Sequence, residues 1–133
     1  IFRMLSSRSL IALMSLISIS IACSCTETSP EQIFCLADYV SKVRVDRVAE
    51  KHFMVYHVEH LEIFKQPENA TLEGKIRTPL ESATCGVQLS PNQTVVLAGD
   101  ITNNRLFTNL CATIDPAFDT RKFMAVNCTE SLF

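Results

Sequence analysis

Hydrophobic and polar positions change their spacing along the chain, and each change predicts an element. Residues 42–46 alternate charged and apolar side chains, which is typical of a strand with one buried face. A second long strand is predicted over 52–64, where β-branched and aromatic residues are frequent. Polar residues 66–74 predict a turn region, and residues 75–78 predict a short strand after it.

The second half of the chain continues this pattern of short strands and turns. The continuous apolar run at 94–98 predicts a buried strand, which Gly99–Asp100 should end. Asn103–Asn104 is a turn signal, and residues 105–111 alternate again.

Helical signals are few. Ser29 is placed to cap a helix with Pro30 at its first position, and the following apolar face comprises Ile33, Phe34 and Ala37. Residues 115–122 predict a second short helix opened by Asp115–Pro116. Short strands with little helix predict an all-β fold with minor helices, either a small barrel or a sandwich.

The N-terminal segment has the pattern of a secretion signal. An uncharged apolar run from Leu10 to Ile21 follows Arg8 and is shorter than the roughly 20 residues that span a bilayer. Ser20 and Ala22 are small residues at the positions that signal peptidase reads before a cut at Cys23. We expect residues 1–22 to be removed, leaving a secreted, extracellular protein without a membrane span; a retained anchor is the alternative.

Composition then narrows the class of protein. All six cysteines lie within 23–133, which indicates three disulfides in an oxidising compartment, and fifteen pairings are open. Without Arg3 and Arg8, the formal net charge of this single domain is (12 − 2) − 14 = −4. An acidic, secreted domain is a poor candidate for binding nucleic acid, because phosphate recognition needs a basic surface.

The sequence does not favour a metal site or an enzyme. Cys23 and Cys25 are too close for paired zinc ligands, and no helical motif relates His52, His57 and His60. No Cys-x-x-Cys, nucleophile–base pair or carboxylate dyad is evident. Bridging both cysteines to distant partners would instead fix the new terminus, either for stability or because the terminus itself binds something.

Three Asn-x-Ser/Thr sequences are candidate glycosylation sites in a secreted chain: Asn69, Asn92 and Asn127.

The cysteine pattern resembles a known family. The stretch CSCTETSPEQIFCLADYVSKVRV, followed by SATCGVQL, VVLAG, NLC and a sixth cysteine at 128, is similar to the N-terminal netrin-like domain of tissue inhibitors of metalloproteinases. The resemblance covers residues 23–128. It implies a five-stranded, OB-fold-like Greek-key barrel and three disulfides: Cys23–Cys85, Cys25–Cys111 and Cys35–Cys128.

The resemblance also implies a mechanism. The amino nitrogen and carbonyl oxygen of Cys23 would chelate the catalytic zinc of a secreted metalloproteinase of the matrix type, and Ser24 would enter the specificity pocket. Because the zinc belongs to the partner, we expect the inhibitor to have no cofactor of its own. We also expect it to be a monomer. The inhibitory ridge, as we define it, comprises Cys23, Ser24, Cys25, Thr26, Ser82, Ala83, Thr84 and Cys85.

Several positions depart from the family pattern. Glu27 stands where proline is usual, the hairpin around 49–51 is short, and no tryptophan follows Pro116. The family's second domain is also expected to be missing. These departures keep an alternative open, in which a netrin-like module acts as an immunomodulatory or signalling protein through a cell-surface receptor without inhibiting proteases.

Overall fold

The structure is a computed structural model that describes residues 22–131, so the predicted signal peptide, except its last residue Ala22, lies outside the described residues. Six strands are present: β1 (Tyr39–Glu50), β2 (Met54–Lys65), β3 (Lys75–Thr78), β4 (Thr94–Thr102), β5 (Arg105–Phe107) and β6 (Thr113–Ile114). Two short α-helices flank them, α1 (Pro30–Leu36) and α2 (Cys128–Ser131). Three 3-10 segments complete the fold: Ser82–Thr84, Leu110–Ala112 and Thr120–Ala125.

Five of the strands close into a barrel. The order is β1-β2-β3-β5-β4, and β4 pairs back with β1 to complete the ring. The β3–β5 pair is parallel and the other pairs are antiparallel. The short β6 pairs antiparallel with β4 at Val96 and Leu97 and is not part of the ring. This arrangement confirms the predicted all-β fold of a closed five-stranded barrel with minor helices and three disulfides.

The barrel interior is filled by alternate residues of the strands and by Leu72, which precedes β3. Nine buried side chains form this core: Tyr39, Val43, Val45, Tyr56, Val58, Leu72, Ile76, Leu97 and Leu106. The alternation predicted for 42–46 is present, since Val43 and Val45 are buried while Lys42 and Asp46 are exposed. Gly99 is needed on the wall, because a Cβ there would collide with the carbonyl of Phe107.

A second cluster covers the outside of β1 and β4. Val40 and Ala98 are paired across these strands and pack with Ala37, Ile114 and Phe123. Helix α1 contributes Ile33 and Phe34 to this cluster, and the Phe34 ring stacks on Phe123 with centroids 4.8 Å apart. The apolar face predicted for α1 is therefore the face that packs on the barrel.

Helix α1 begins where the sequence predicts. The Ser29 side chain accepts a hydrogen bond from the Gln32 backbone N–H, and the Gln32 side chain accepts one from the Ser29 N–H. This reciprocal capping box satisfies two N–H groups that the first helical turn leaves free. At the other end, the Lys65 ammonium donates to the carbonyls of Phe34 and Cys35. Both ends of a seven-residue helix are thus held by side chains.

Two predicted boundaries are wrong. Strand β4 does not end at Gly99–Asp100 but continues to Thr102, because Asp100 and Ile101 pair with β5. The alternation at 105–111 likewise ends as a strand at Phe107, where the chain turns towards Cys111.

The helix predicted over 115–122 is also wrong. Asp115 accepts a hydrogen bond from the Ala117 N–H and forms a turn. The helical segment starts four residues later, as a 3-10 segment in which the Asp119 side chain accepts from the Arg121 N–H. Within residues 22–131, no helix is long and apolar enough to cross a membrane.

Candidate functional site

Two disulfides hold the segment around Cys23 against two other parts of the chain. The structure joins Cys23 to Cys85 and Cys25 to Cys111, with Cα atoms 5.1 and 5.4 Å apart. The third bridge, Cys35–Cys128, links α1 to α2. This is the pairing that the resemblance implies. Because the first two bridges are separated by one residue, both ends of the tripeptide 23–25 are fixed.

The two bridges also lie side by side. The sulfur atoms of Cys23, Cys85 and Cys111 are within 4.8 Å of one another. Every one of these sulfurs is in a disulfide, so none is available as a thiolate ligand for metal or as a nucleophile. What this segment can offer a partner is therefore its backbone and the exposed side chains between the bridges.

Those side chains face solvent. Ser24, Cys25, Thr26 and Glu27 are exposed, whereas Cys23 is half-buried. The Thr28 hydroxyl donates to the carbonyl of Thr26 at 2.8 Å, and the capping box at Ser29 follows directly. The segment thus leaves the bridges in a defined direction and enters α1.

The second part of the inhibitory ridge, residues 82–85, is a loop whose hydrogen bonds converge on one carbonyl group. The Glu81 carbonyl accepts hydrogen bonds from the backbone N–H groups of Thr84 and Gly86 and from the Thr84 hydroxyl. Cys85 takes a left-handed conformation with φ of 68°, and its N–H donates to the Ser82 carbonyl. These bonds curl residues 82–85 so that the first three are exposed and Cys85 meets Cys23.

Gly86 makes this curl possible. It is buried, and a Cβ at this position would collide with the carbonyl oxygen of Pro79 and lie 2.8 Å from that of Glu81. No other residue type therefore fits without moving the loop.

Two buried hydroxyls anchor the loop to the barrel. The Thr78 hydroxyl, at the end of β3, accepts from the Val87 N–H at 3.0 Å. The Tyr56 hydroxyl donates to the Val87 carbonyl at 2.6 Å and accepts from the Leu89 N–H at 2.9 Å. Both side chains are fully buried, so these bonds are shielded from water. The residues that directly follow the loop are therefore fixed to the barrel.

A third segment supports the ridge from Cys111. The Leu110 N–H donates to the Cys85 carbonyl at 2.8 Å, and the Asn109 side chain accepts from the Cys111 N–H. Strand β5 leads directly into this segment, as β3 leads into the ridge loop. The structure thus brings together all eight ridge residues named from the sequence. The Cys111 segment contacts both parts of the ridge, because Cys111 is bridged to Cys25 and Leu110 is hydrogen-bonded to Cys85.

The histidines lie away from the cysteines of the ridge. His60 contacts the Ser41 hydroxyl at 2.7 Å through Nδ1 and the Glu73 carbonyl at 2.8 Å through Nε2. His52 and His57 line an open cavity on the outer face of the barrel. Among the described residues, the histidines do not form a metal site with the cysteines.

The candidate glycosylation sites differ in their surroundings. Asn69 and Asn92 are exposed in turns and adopt left-handed conformations, with φ of 60° and 68°. Asn127 is exposed next to Cys128, and its side chain accepts a hydrogen bond from the Thr129 N–H. Occupancy by glycan stays a prediction for each of them.

Comparisons with known proteins agree with this geometry. A sequence model of the family described as tissue inhibitor of metalloproteinase matches residues 21–122. A Caenorhabditis elegans protein named "Putative metalloproteinase inhibitor tag-225" is 36% identical, over 83% of this chain and 78% of its own length. Metalloproteinase inhibitor 4 of Mus musculus is 29% identical, over 71% of this chain. The Drosophila melanogaster tissue inhibitor of metalloproteinase is 28% identical, over 81% of this chain.

The relatives differ in how much of their length is matched. The chain spans 48% of the mouse protein and 57% of the Drosophila protein. The matched part includes the residues that form the inhibitory ridge.

Proposed function

The chain belongs to the tissue inhibitor of metalloproteinase family, and from this premise we propose that it is a secreted inhibitor of zinc metalloproteinases. Its mature N-terminus at Cys23 would chelate the target's catalytic zinc through the α-amino nitrogen and the carbonyl oxygen. The supporting observation is the pair of adjacent disulfides that fixes Cys23 beside the exposed loop 82–85.

The chemistry of an α-amino group suits this role. Its pKa is ordinarily about 7.7–8.0, so losing the proton that competes with zinc costs little at neutral pH. A catalytic zinc keeps one coordination position open for water or substrate. The nitrogen and the carbonyl oxygen of one residue reach the same metal, and together they would displace that water. Signal-peptide cleavage before Cys23 is required, because it creates the free amine.

The rigidity of the ridge accounts for affinity. A flexible terminus would lose conformational entropy on entering a protease cleft, whereas one fixed by two bridges loses little. Ser24 is the exposed side chain directly after the chelating residue, so it would enter the specificity pocket. The ridge presents an amine at the zinc in place of a scissile bond, so binding would not lead to cleavage.

The setting favours an extracellular target. Three disulfides are typical of proteins that function in an oxidising environment. The partner class we propose is the matrix type of secreted zinc metalloproteinase, bound by a monomeric inhibitor. The zinc is supplied by that partner, and the role of this chain is to present the atoms that bind it.

The decisive experiment compares two forms of the same protein. One begins at Cys23, as verified by mass spectrometry, and the other retains Ala22. Both are titrated against a panel of matrix metalloproteinase catalytic domains with a fluorogenic peptide substrate. We expect inhibition by the first form alone, because the extra residue converts the amine into an amide that cannot bind zinc. Equal inhibition by both forms would contradict chelation.

A binding module without inhibitory activity is the second candidate. The exposed Glu27, which follows the ridge strip directly, favours it, because it adds a charge where the family usually has proline. Absence of inhibition by either form, together with receptor binding that survives retention of Ala22, would establish this alternative.

A further inference from the structure

A small concave surface lies beside the inhibitory ridge, between helix α1 and the barrel. We call it the α1 pocket, and its volume is about 190 Å³. Three parts of the chain form its wall: α1 with the residues on either side of it, the middle of β4, and the segment around Cys111.

The α1 pocket continues the surface of the ridge. Thr28 lines the pocket, and its hydroxyl donates to the carbonyl of the ridge residue Thr26 at 2.8 Å. Cys111 also lines the pocket and is bridged to Cys25 of the ridge. The disulfide that fixes the ridge segment therefore also fixes the position of the pocket relative to it.

Much of the wall is apolar. Ile33 and Leu36 come from α1, and Ala37 and Ala112 lie beside them. Leu36 is 65% exposed although it is part of this wall. A single exposed leucine is normal on a protein surface, but one at the edge of a concave apolar surface indicates a place where a partner can bury it.

The pocket also carries a negative charge. Asp100 is the only charged residue among the described residues that line it. Asp100 is exposed and forms no ion pair within residues 22–129. Its neighbour across the strands, Asp38, differs because its carboxylate accepts a hydrogen bond from the Ile101 N–H at 2.9 Å. The exposed Glu27, directly before Thr28, adds a second negative charge close by in the chain.

We propose that the α1 pocket binds an arginine or lysine side chain from the rim of the target metalloproteinase's cleft. This inference rests on the proposed function. The methylene groups of a basic side chain pack against apolar surface while its charged end stays near water, which matches an apolar wall with Asp100 at its edge. Pockets for small-molecule ligands usually measure about 300–1,000 Å³, so this smaller one suits a single side chain better.

The position of the pocket identifies the protease as its partner. Residues 24–28 lead from the chelating residue Cys23 to the pocket. When Ser24 enters the specificity pocket, Thr28 and the α1 pocket would face the rim of the same cleft. A protease with a basic residue at that point would be favoured, and one with an acidic residue there would be disfavoured by repulsion from Asp100. The α1 pocket would thus add to the target choice made by Ser24.

The test uses the mature full chain, beginning at Cys23, in two pairs of variants. Asp100→Asn is compared with Glu68→Gln, which removes the same charge from an exposed turn outside the pocket. Leu36→Gln is compared with Leu61→Gln, which changes an exposed leucine of β2 outside the pocket. Urea unfolding verifies that each variant is folded. The probe is the matrix metalloproteinase catalytic domain that the unmodified protein inhibits most tightly, and the inhibition constant is measured for each variant.

We expect Asp100→Asn to weaken inhibition about fivefold, the upper end for an exposed ion pair. Leu36→Gln should weaken it about fourfold, which corresponds to one methylene group no longer buried. Both controls should change the inhibition constant by less than about twofold. Each arginine and lysine on the rim of the protease's cleft is then replaced by glutamine in turn. One of these replacements should make Asp100→Asn lose its effect, and this double-mutant cycle identifies the bound side chain.

The outcomes separate this inference from the proposed function. If the unmodified protein inhibits and Asp100→Asn behaves like Glu68→Gln, the pocket has no part in binding, although the inhibitory function stands. A loss in Asp100→Asn that couples to none of the protease's basic residues would overturn the proposed occupant. Absence of inhibition by the unmodified protein would overturn the proposed function and this inference together.

Discussion

The inhibitory ridge and a row of basic side chains on the barrel strands are two surfaces built by different means. This basic row comprises Arg47, His57, Lys75 and Arg105, which occupy neighbouring positions on the consecutive strands β1, β2, β3 and β5. The ridge consists of irregular segments joined by disulfides and by hydrogen bonds to the carbonyls of Glu81, Ser82 and Cys85. The basic row lies on regular strands, and its shape follows from the strand register. The ridge therefore depends on particular long-range bridges, whereas the row should persist wherever the barrel itself persists.

Removing one bridge should separate the two surfaces most strongly. The bridges Cys25–Cys111 and Cys35–Cys128 span similar lengths of chain, 86 and 93 residues. In the chain-entropy model each contributes about 4–5 kcal/mol to the free energy of unfolding. We expect Cys25→Ala/Cys111→Ala and Cys35→Ala/Cys128→Ala to lose similar stability in chemical denaturation, while only the first loses protease inhibition.

The pKa of His57, followed by NMR, supplies the control for those two variants, because both should keep the row and its lowered pKa if they are folded. Circular dichroism at low temperature establishes that they are. Equal loss of inhibition in both would mean that the Cys25 bridge has no special part in shaping the ridge.

Substitution of Gly86 should damage the ridge through its backbone. In Gly86→Ala the new Cβ would collide with the Pro79 carbonyl, so the loop must move, at a cost of about 2–4 kcal/mol. Gly74→Ala is the matched control, since its Cβ would be 3.4 Å from its nearest neighbour, the Val58 carbonyl. We expect the control to change the free energy of unfolding by less than about 1 kcal/mol. Similar urea midpoints for the two variants would contradict this reading of the loop.

The buried tyrosines allow a finer test. Tyr56→Phe removes a hydroxyl that both donates to Val87 and accepts from Leu89, leaving two buried backbone groups unpaired. Tyr39→Phe removes a single bond to the Phe107 carbonyl. We expect losses of about 2 and 1 kcal/mol respectively. Hydrogen exchange should also become faster at the amide of Leu89, which donates to this hydroxyl, in Tyr56→Phe alone. Unchanged exchange there would refute the anchoring role.

The smallest effect concerns the charge state of His57. Burial and the positive charges of Arg47, Lys75 and Lys51 hold its pKa below the ordinary value, because a cation opposes protonation of the imidazole. Lys75→Gln should therefore raise this pKa, whereas Lys42→Gln should leave it unchanged. A titration of His57 followed by NMR measures the shift. If the pKa of His57 does not respond to Lys75→Gln, the positive charge of Lys75 does not act on the imidazole.

Sequence reasoning went furthest where local patterns decide the structure. The helix cap at Ser29, the alternation at 42–46 and the turn at Asn103–Asn104 are set by residues close in sequence, and each was predicted. The end of β4 was not, because Gly99 reads as a strand terminator although the close approach of Phe107 is what requires it. The helix expected from Asp115 failed for a related reason, since that carboxylate closes a turn instead.

The two surfaces were unequally accessible to sequence reasoning. The ridge could be named in advance because cysteine spacing resembles that of a known family. The basic row could not, because its four members are scattered between positions 47 and 105 and meet only through the strand register. The cations of β1 also differ in a way that the alternation does not reveal: Arg44 is ion-paired, whereas Arg47 is not paired within residues 22–129.

The most direct test of the central claim is the crystal structure of the mature protein bound to a matrix metalloproteinase catalytic domain. The quantity to measure is the distance from the Cys23 amino nitrogen to the catalytic zinc. Chelation predicts about 2.0–2.1 Å, as for other zinc–nitrogen bonds, with the carbonyl oxygen of the same residue also at the metal and no water in between. A zinc that keeps its water, with the ridge bound elsewhere, would contradict the account.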